Sequence, residues 1–233
     1  MHKPIILVTG DLHGDINRLL TYKWEGLTKQ DYLIVLGDFG LIYTNNEKDT
    51  KENRKLDLLN QLPVTVLFID GNHENFNRLL AFPKEKWHGG YVSKIREHVI
   101  YLRRGEVFEI GEKKLFVMGG GTSVDKEFRT ENKSWWPQEI PSEEEFENAK
   151  MNLAKHNYEV DYILTHSCSS KTLPIVAAFA GFKYHIIYDK VNEYLDWIEK
   201  NVSFKHWYFG HYHIDLNEVV DNQTIVQERI IVI

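Results

Sequence analysis

Asp11 and His13 stand two residues apart, Asp38 follows a glycine, and Asn72 and His73 sit inside Gly71-Asn72-His73-Glu74. His166 follows a threonine, and His211 and His213 belong to a Gly-His-Tyr-His run. Hard divalent cations favour carboxylate oxygen, and borderline cations also take imidazole nitrogen; this set supplies both. Asp38 carries two oxygens and can bridge two ions. Asn72 offers a neutral amide oxygen, and His13, His166, His211 and His213 offer ring nitrogens. The donor count suits two ions of five or six coordinates, with water in the remaining positions. Two cations sharing a water support hydrolysis.

Such residues, far apart in sequence, must be brought together by the elements that carry them. Singly, each motif is also the mark of an ordinary turn, since glycine and asparagine tolerate turn conformations. Jointly they follow one rule: each falls just after a short, strand-like apolar run. Strand ends in a layered α/β domain converge on one edge, so this placement predicts a common site.

Residues 4–9, Tyr32–Leu36 and residues 64–69 read as buried strands, and residues 16–22 and 55–62 read as helical. The alternation predicts a parallel sheet with helical crossovers. After Trp87 the texture changes to closely spaced strands at 91–93, Val99–Leu102, 107–110 and 114–118, for which antiparallel pairing is expected. Ser142 followed by Glu145 marks a helix start, with Phe146, Ala149 and Leu153 as its buried stripe. Ile187, Val191, Leu195 and Ile198 mark another amphipathic helix. Residues 162–164 and 207–209 are strands leading into His166 and Gly210, and 224–233 is a terminal strand or pair. No linker composition appears, so one domain over 1–233 is expected, with a substrate-loop insertion at about 119–141.

Composition narrows the class. The 233 residues are 42% hydrophobic and 13% aromatic, enough for a sizeable core. The net charge of −6 excludes a generally nucleic-acid-coating protein and leaves nucleic acid as a partner only through a local basic patch. Cys168 is the sole cysteine, which excludes an intrachain disulfide and points to a reducing compartment. The first apolar run is too short for a signal peptide, and no run approaches the roughly 18 apolar residues of a membrane span. A cytoplasmic protein without a membrane partner is expected, and no motif sets an oligomeric state.

The ordered motifs, spanning Asp11 to His213, resemble those of the calcineurin-like metallophosphoesterase superfamily. The resemblance implies a four-layer α/β/β/α sandwich of two mixed β-sheets flanked by helices, the β-rich middle segment fitting the second sheet. It implies that Asp11, His13 and His213 hold one ion, that Asn72, His166 and His211 hold a second, and that Asp38 bridges them. The ions would be divalent, two per chain: manganese first, with iron, zinc, nickel, cobalt or magnesium as alternatives. The implied reaction is hydrolysis of a phosphomonoester or phosphodiester by a hydroxide bridging the ions, with His73 as proton donor to the leaving oxygen.

Departures refine the expectation. Many protein phosphatases of that superfamily place an acid three residues after the bridging aspartate, where it orients the histidine, and an arginine after that. Here Leu41 and Ile42 occupy those positions. Asp70, Asp15, Glu74 or a backbone carbonyl would have to orient His73, Asp15 being better suited to a helix start. A small phosphorylated or nucleotide-type substrate is therefore preferred to a phosphoprotein, and a non-catalytic scaffold is disfavoured because the core set is complete. Arg129 and Lys126, on the glycine-rich 119–141 segment, and Arg78, one turn after His73, are candidate phosphate contacts. Trp135 and Trp136 either stack on a base or pin that segment to the body.

Overall fold

In the computed structural model, which describes residues 2–180 and 188–233, two sheets face each other between helices. The first sheet has seven strands. They are β1 (Ile6–Thr9), β2 (Tyr32–Leu36), β3 (Thr65–Ile69), β4 (Glu85–Trp87), β5 (Gly90–Arg96), β6 (Val99–Leu102) and β13 (Ile231–Val232), in the order β13-β1-β2-β3-β6-β5-β4. The second has six: β7 (Glu106–Ile110), β8 (Lys113–Met118), β9 (Tyr162–Thr165), β10 (His206–Phe209), β11 (Leu216–Val220) and β12 (Gln223–Ile225), in the order β11-β12-β10-β9-β8-β7. Both sheets are mixed: β1, β2, β3 and β6 run parallel, as do β8, β9, β10 and β12, while β13, β5, β4, β7 and β11 are antiparallel to their neighbours.

The apolar runs are explained by burial on both faces, which removes the usual alternation with polar residues. Ile6, Val8, Ile34, Leu36, Leu67 and Ile69 of the first sheet meet Phe108, Ile110, Leu115, Val117 and Leu164 of the second in the central layer. The alternate residues Leu7, Leu33, Val35, Val66 and Phe68 point the other way, as period-two geometry requires. They pack under α1 (Asn17–Thr21), α2 (Thr50–Asn60) and α3 (Phe76–Leu79) through Leu19, Leu56, Leu59 and Leu79. On the opposite outer face Phe116, Ile163, Trp207 and Phe209 pack with α4 (Glu143–Lys155), α5 (Leu173–Phe179) and α6 (Lys190–Asn201).

The capping box at Ser142 and Glu145 forms, and Phe146, Ala149 and Leu153 are buried as expected. Val191, Leu195 and Ile198 are likewise buried on α6, which starts at an Asp189 cap; Ile187, expected to open that stripe, lies outside the described residues. The helix read from 55 begins earlier, at Thr50, because Asp49 accepts from the amides of Lys51 and Glu52. The middle segment is corrected: β4, β5 and β6 extend the first sheet, and the chain changes sheets between Leu102 and Glu106. Closely spaced strands predict antiparallel partners, and β5–β6 and β7–β8 are such pairs; which sheet each hairpin joins depends on its outer neighbour. The terminal strands also divide, β12 pairing with β10 and β13 with β1.

A buried ion pair joins the end of β3 to the segment that links the two sheets. Arg104 donates to Asp70 Oδ2 at 2.9 and 2.5 Å, and the Tyr101 hydroxyl donates to Asp70 Oδ1 at 2.7 Å. Removing one partner strands the other charge in a dry environment. Arg104→Met is therefore expected to lower stability by about 3–5 kcal/mol, measured by denaturant unfolding; an unchanged midpoint would show that the pair is not structural. Among the described residues, no helix is long and apolar enough to cross a membrane.

Candidate metal centre

The strand registers bring the motifs to one edge. Thr9 pairs with Val35, Leu36 with Ile69, and Thr165 with Phe209. The parallel strands β1, β2 and β3 thus end level with one another, as do β9 and β10. Within four residues of those ends come Asp11 and His13, Asp38, Asn72 and His73, His166, and His211 and His213. Ligand sites outside the carboxyl ends of parallel strands are a general feature of open α/β sheets.

Two donor clusters result, sharing Asp38. Asp11, His13, Asp38 and His213 form one, and Asp38, His166 and His211 form the other. In the first, Nε2 of His13 lies 3.0 Å from Nε2 of His213, 3.6 Å from Asp38 Oδ2 and 3.7 Å from Asp11 Oδ2. In the second, His166 Nε2 lies 3.4 Å from Asp38 Oδ1 and 3.2 Å from Asn72 Oδ1. All seven expected ligands are therefore brought together. Metal binding fits this set: Asp11 Oδ2 is buried with no hydrogen-bond donor in bonding geometry among the described residues, while the ring nitrogens of His213 and His13 lie 3.2 and 3.7 Å from it. Buried polar atoms normally have partners, and a cation is what such acceptors lack.

The backbone is bent to present these groups. His13, Asp38, His211 and His213 have φ of 47°, 45°, 72° and 52°. A left-handed conformation costs a non-glycine residue of order 1–3 kcal/mol and persists where surrounding structure enforces it, often at functional sites. Backbone amides do part of the enforcing: His73 N–H donates to Asp38 Oδ1 at 2.8 Å and His211 N–H to Asp11 Oδ1 at 3.0 Å. Gly71 is required by close approach, since a Cβ there would lie 2.1 Å from Asp38 Oδ1.

Outer contacts fix the ligands' orientation. His166 Nδ1–H donates to the Leu36 carbonyl at 2.8 Å, which turns Nε2 toward the donor cluster. Asn72 Nδ2 donates to Ser123 Oγ at 3.1 Å, and Ser123 in turn donates to Glu139 at 2.6 Å, leaving Asn72 Oδ1 facing inward. Ser123 and Glu139 were not legible as site residues, because a serine and a glutamate in a polar loop carry no signal until the fold closes. Burial disfavours the charged form of His166, but Asp38 and Asp11 outweigh it and hold the ring up at about 10 without metal. For His211 desolvation dominates, and with His166 beside it the ring is pushed down to about 3.

His73 lines one cavity with Asp38, Asn72, His211 and His213, and its ring lies 5.0 Å from that of His13, edge to face. Burial is the main cause that lowers its pKa; neighbouring Arg129 adds to the effect, and Asp38 opposes it. None of the acids expected to orient it does so in the contacts described. Asp70 is engaged by Arg104 and Tyr101, Glu74 accepts from the amides of Phe39 and Gly40, and Asp15 accepts from the amide of Asn17 at the start of α1. Leu41 and Ile42 are core residues at 1% exposure.

Arg129 takes the place beside the ring. Its guanidinium nitrogens lie 3.3 Å from His73 Nδ1 and 3.5 Å from Nε2, and it is held by Asp125 at 2.7 Å and the Ser134 carbonyl at 3.2 Å. The other two candidate cations are elsewhere. Arg78 is bound to Glu52 and the Thr44 carbonyl, both at 2.6 Å, and does not line the cavity, because α3 turns it toward the loop before α2. Lys126 is exposed and also does not line it. Trp136 is buried against Tyr43, so it pins the loop.

Arg129→Ala is expected to leave metal content unchanged and to lower kcat/KM by about ten- to a hundredfold, the scale of one charge-assisted contact. Arg129→Lys should recover part of it. Steady-state kinetics with metal analysis check this, and wild-type rates on every substrate would leave the residue as loop packing.

The family model for calcineurin-like phosphoesterases matches residues 5–215, which includes every residue of both donor clusters. The chain is 34% identical over 107 residues to the lariat debranching enzyme of Saccharomyces cerevisiae, a match covering 40% of this chain. It spans 25% of that relative's length. Phosphopantetheinyl hydrolase of Mycobacterium tuberculosis superposes with a TM-score of 0.46 at 16% identity, over 97% of this chain and 88% of that one. With the family match extending from β1 to beyond His213, the chain belongs to the calcineurin-like phosphoesterases, a family of metal-dependent phosphoesterases.

Proposed function

We propose that this chain hydrolyses phosphomonoester or phosphodiester bonds using two divalent cations, manganese foremost, and that its substrate is a small or nucleotide-type molecule. The observation that carries this reading is one cavity onto which Asp38, Asn72, His73, Arg129, His211 and His213 all open. When bound, the cations supply Lewis-acid charge to phosphoryl oxygens and lower the pKa of a water.

The protein's own groups do the rest. Asp38 is held by the His73 amide, so its second oxygen stays directed at His13. His73 stands at the cavity wall where a ring N–H can deliver a proton to a departing oxygen. Arg129 keeps its charge at any working pH and offers N–H groups beside that ring. The segment 119–141 completes the site within a single domain. The similarity to a lariat debranching enzyme supports nucleotide-type esters as test substrates, and the apolar, buried Leu41 and Ile42 weigh against a phosphoprotein phosphatase.

Chelated protein is expected to lose hydrolysis of a panel of phosphomonoesters, phosphodiesters and cyclic nucleotides, and to regain it with manganese. Because His166 holds a proton at neutral pH without metal, metal uptake must displace it. Affinity should therefore weaken as pH falls, by up to about tenfold per pH unit for each proton displaced. Absence of turnover with every metal and ester would sink the reading.

A further inference from the structure

The cavity at the metal centre, about 140 Å³, does not end at the polar groups. It is also walled by Leu173, Val176 and Ala177 of α5, by Ala180 just beyond it, and by Val124 of the 119–141 segment. The four α5-side residues are spaced i, i+3, i+4 and i+7, which places them on one helical stripe. The small side chains of Ala177 and Ala180 leave space above that stripe where larger residues would fill it.

The charges around the cavity are as selective as its apolar wall. Among the described lining residues Arg129 is the single lysine or arginine, and it is committed to Asp125 and to the His73 ring. Asp189 also lines the cavity, and its carboxylate caps α6 through the amides of Val191 and Asn192 and accepts from the Thr122 hydroxyl. Among the described residues, a second phosphate placed there would meet Asp125 and Asp189, and the lysine or arginine lining its cavity would be the already engaged Arg129. An uncharged hydrocarbon or aromatic group would meet the α5 stripe and Val124 at no such cost.

We propose that the α5 stripe is the subsite for the group esterified to the phosphate, and that this group is uncharged and apolar. The inference rests on the phosphoesterase reading above and narrows its substrate class. Burial of each added methylene against the stripe should strengthen binding about fourfold until the cavity is full.

The test uses manganese-loaded protein with two series. In para-alkylphenyl phosphates the leaving-group pKa is nearly constant while the chain grows, and kcat/KM should rise about fourfold per methylene over the first members. Non-hydrolysable n-alkylphosphonates, titrated calorimetrically, should show the same gradient in affinity with an increasingly negative heat-capacity change. Ala177→Asp and, as the milder change, Ala177→Leu should flatten both gradients. Turnover that is independent of chain length, with flat phosphonate affinity, would overturn the subsite and leave the phosphoesterase reading standing. A phosphonate gradient without turnover of any ester would support the subsite and overturn that reading.

Discussion

Asp38→Asn is expected to cost the protein both its metal and its turnover. Asp38 is the residue common to the two donor clusters, so one lost charge weakens both. The substitution isolates that charge. Asparagine tolerates the left-handed backbone that Asp38 adopts at φ 45°, and its amide oxygen can still accept from the His73 N–H. Loss of a ligand exceeds the tenfold to hundredfold typical of an outer partner, so turnover should fall by more than about 10² and metal content should drop from near two ions per chain. Metal analysis of dialysed protein, set beside its kinetics, reads both. Two tightly held ions in Asp38→Asn would refute its role as the shared ligand.

His73→Asn should separate chemistry from metal binding. His73 belongs to neither donor cluster, and its backbone N–H, the group that holds Asp38, survives the change. Arg129 keeps its pair with Asp125, so the loop has its own anchor. Metal content should stay at the wild-type level while turnover of unactivated esters falls by about 10²–10⁴, the scale of a lost general acid. The fall should be smaller for aryl phosphates with acidic phenols, which leave without protonation. Burial and Arg129 lower the His73 pKa, so the proton needed for catalysis is held less readily as pH rises; wild-type turnover of poor leaving groups should decline first on the alkaline side, and this limb should be absent in His73→Asn. An equal loss for every leaving group would point instead to a role in binding.

What the sequence alone determined was local and chemical. Donor types are visible residue by residue, and the apolar runs before Asp11, Asp38 and Asn72 are strands buried on both faces, while the run before His211 alternates buried and half-buried residues. Such runs end where polar donors begin, so the seven candidate donors that the fold gathers, and the phosphoesterase class, could be read from order and spacing. The cap at Ser142 was legible for the same reason, its partner Glu145 being one helical turn away. Only the tertiary structure decided which groups meet across long separations. It joined β4, β5 and β6 to the first sheet, since pairing is set by an outer neighbour as well as by the hairpin. It gave Arg78 to Glu52, placed Arg129 rather than an acid against His73, and set Ser123 and Glu139 behind Asn72. A polar side chain in a loop can satisfy its hydrogen bonds with many partners, and the choice among them is made by packing, which periodicity does not encode.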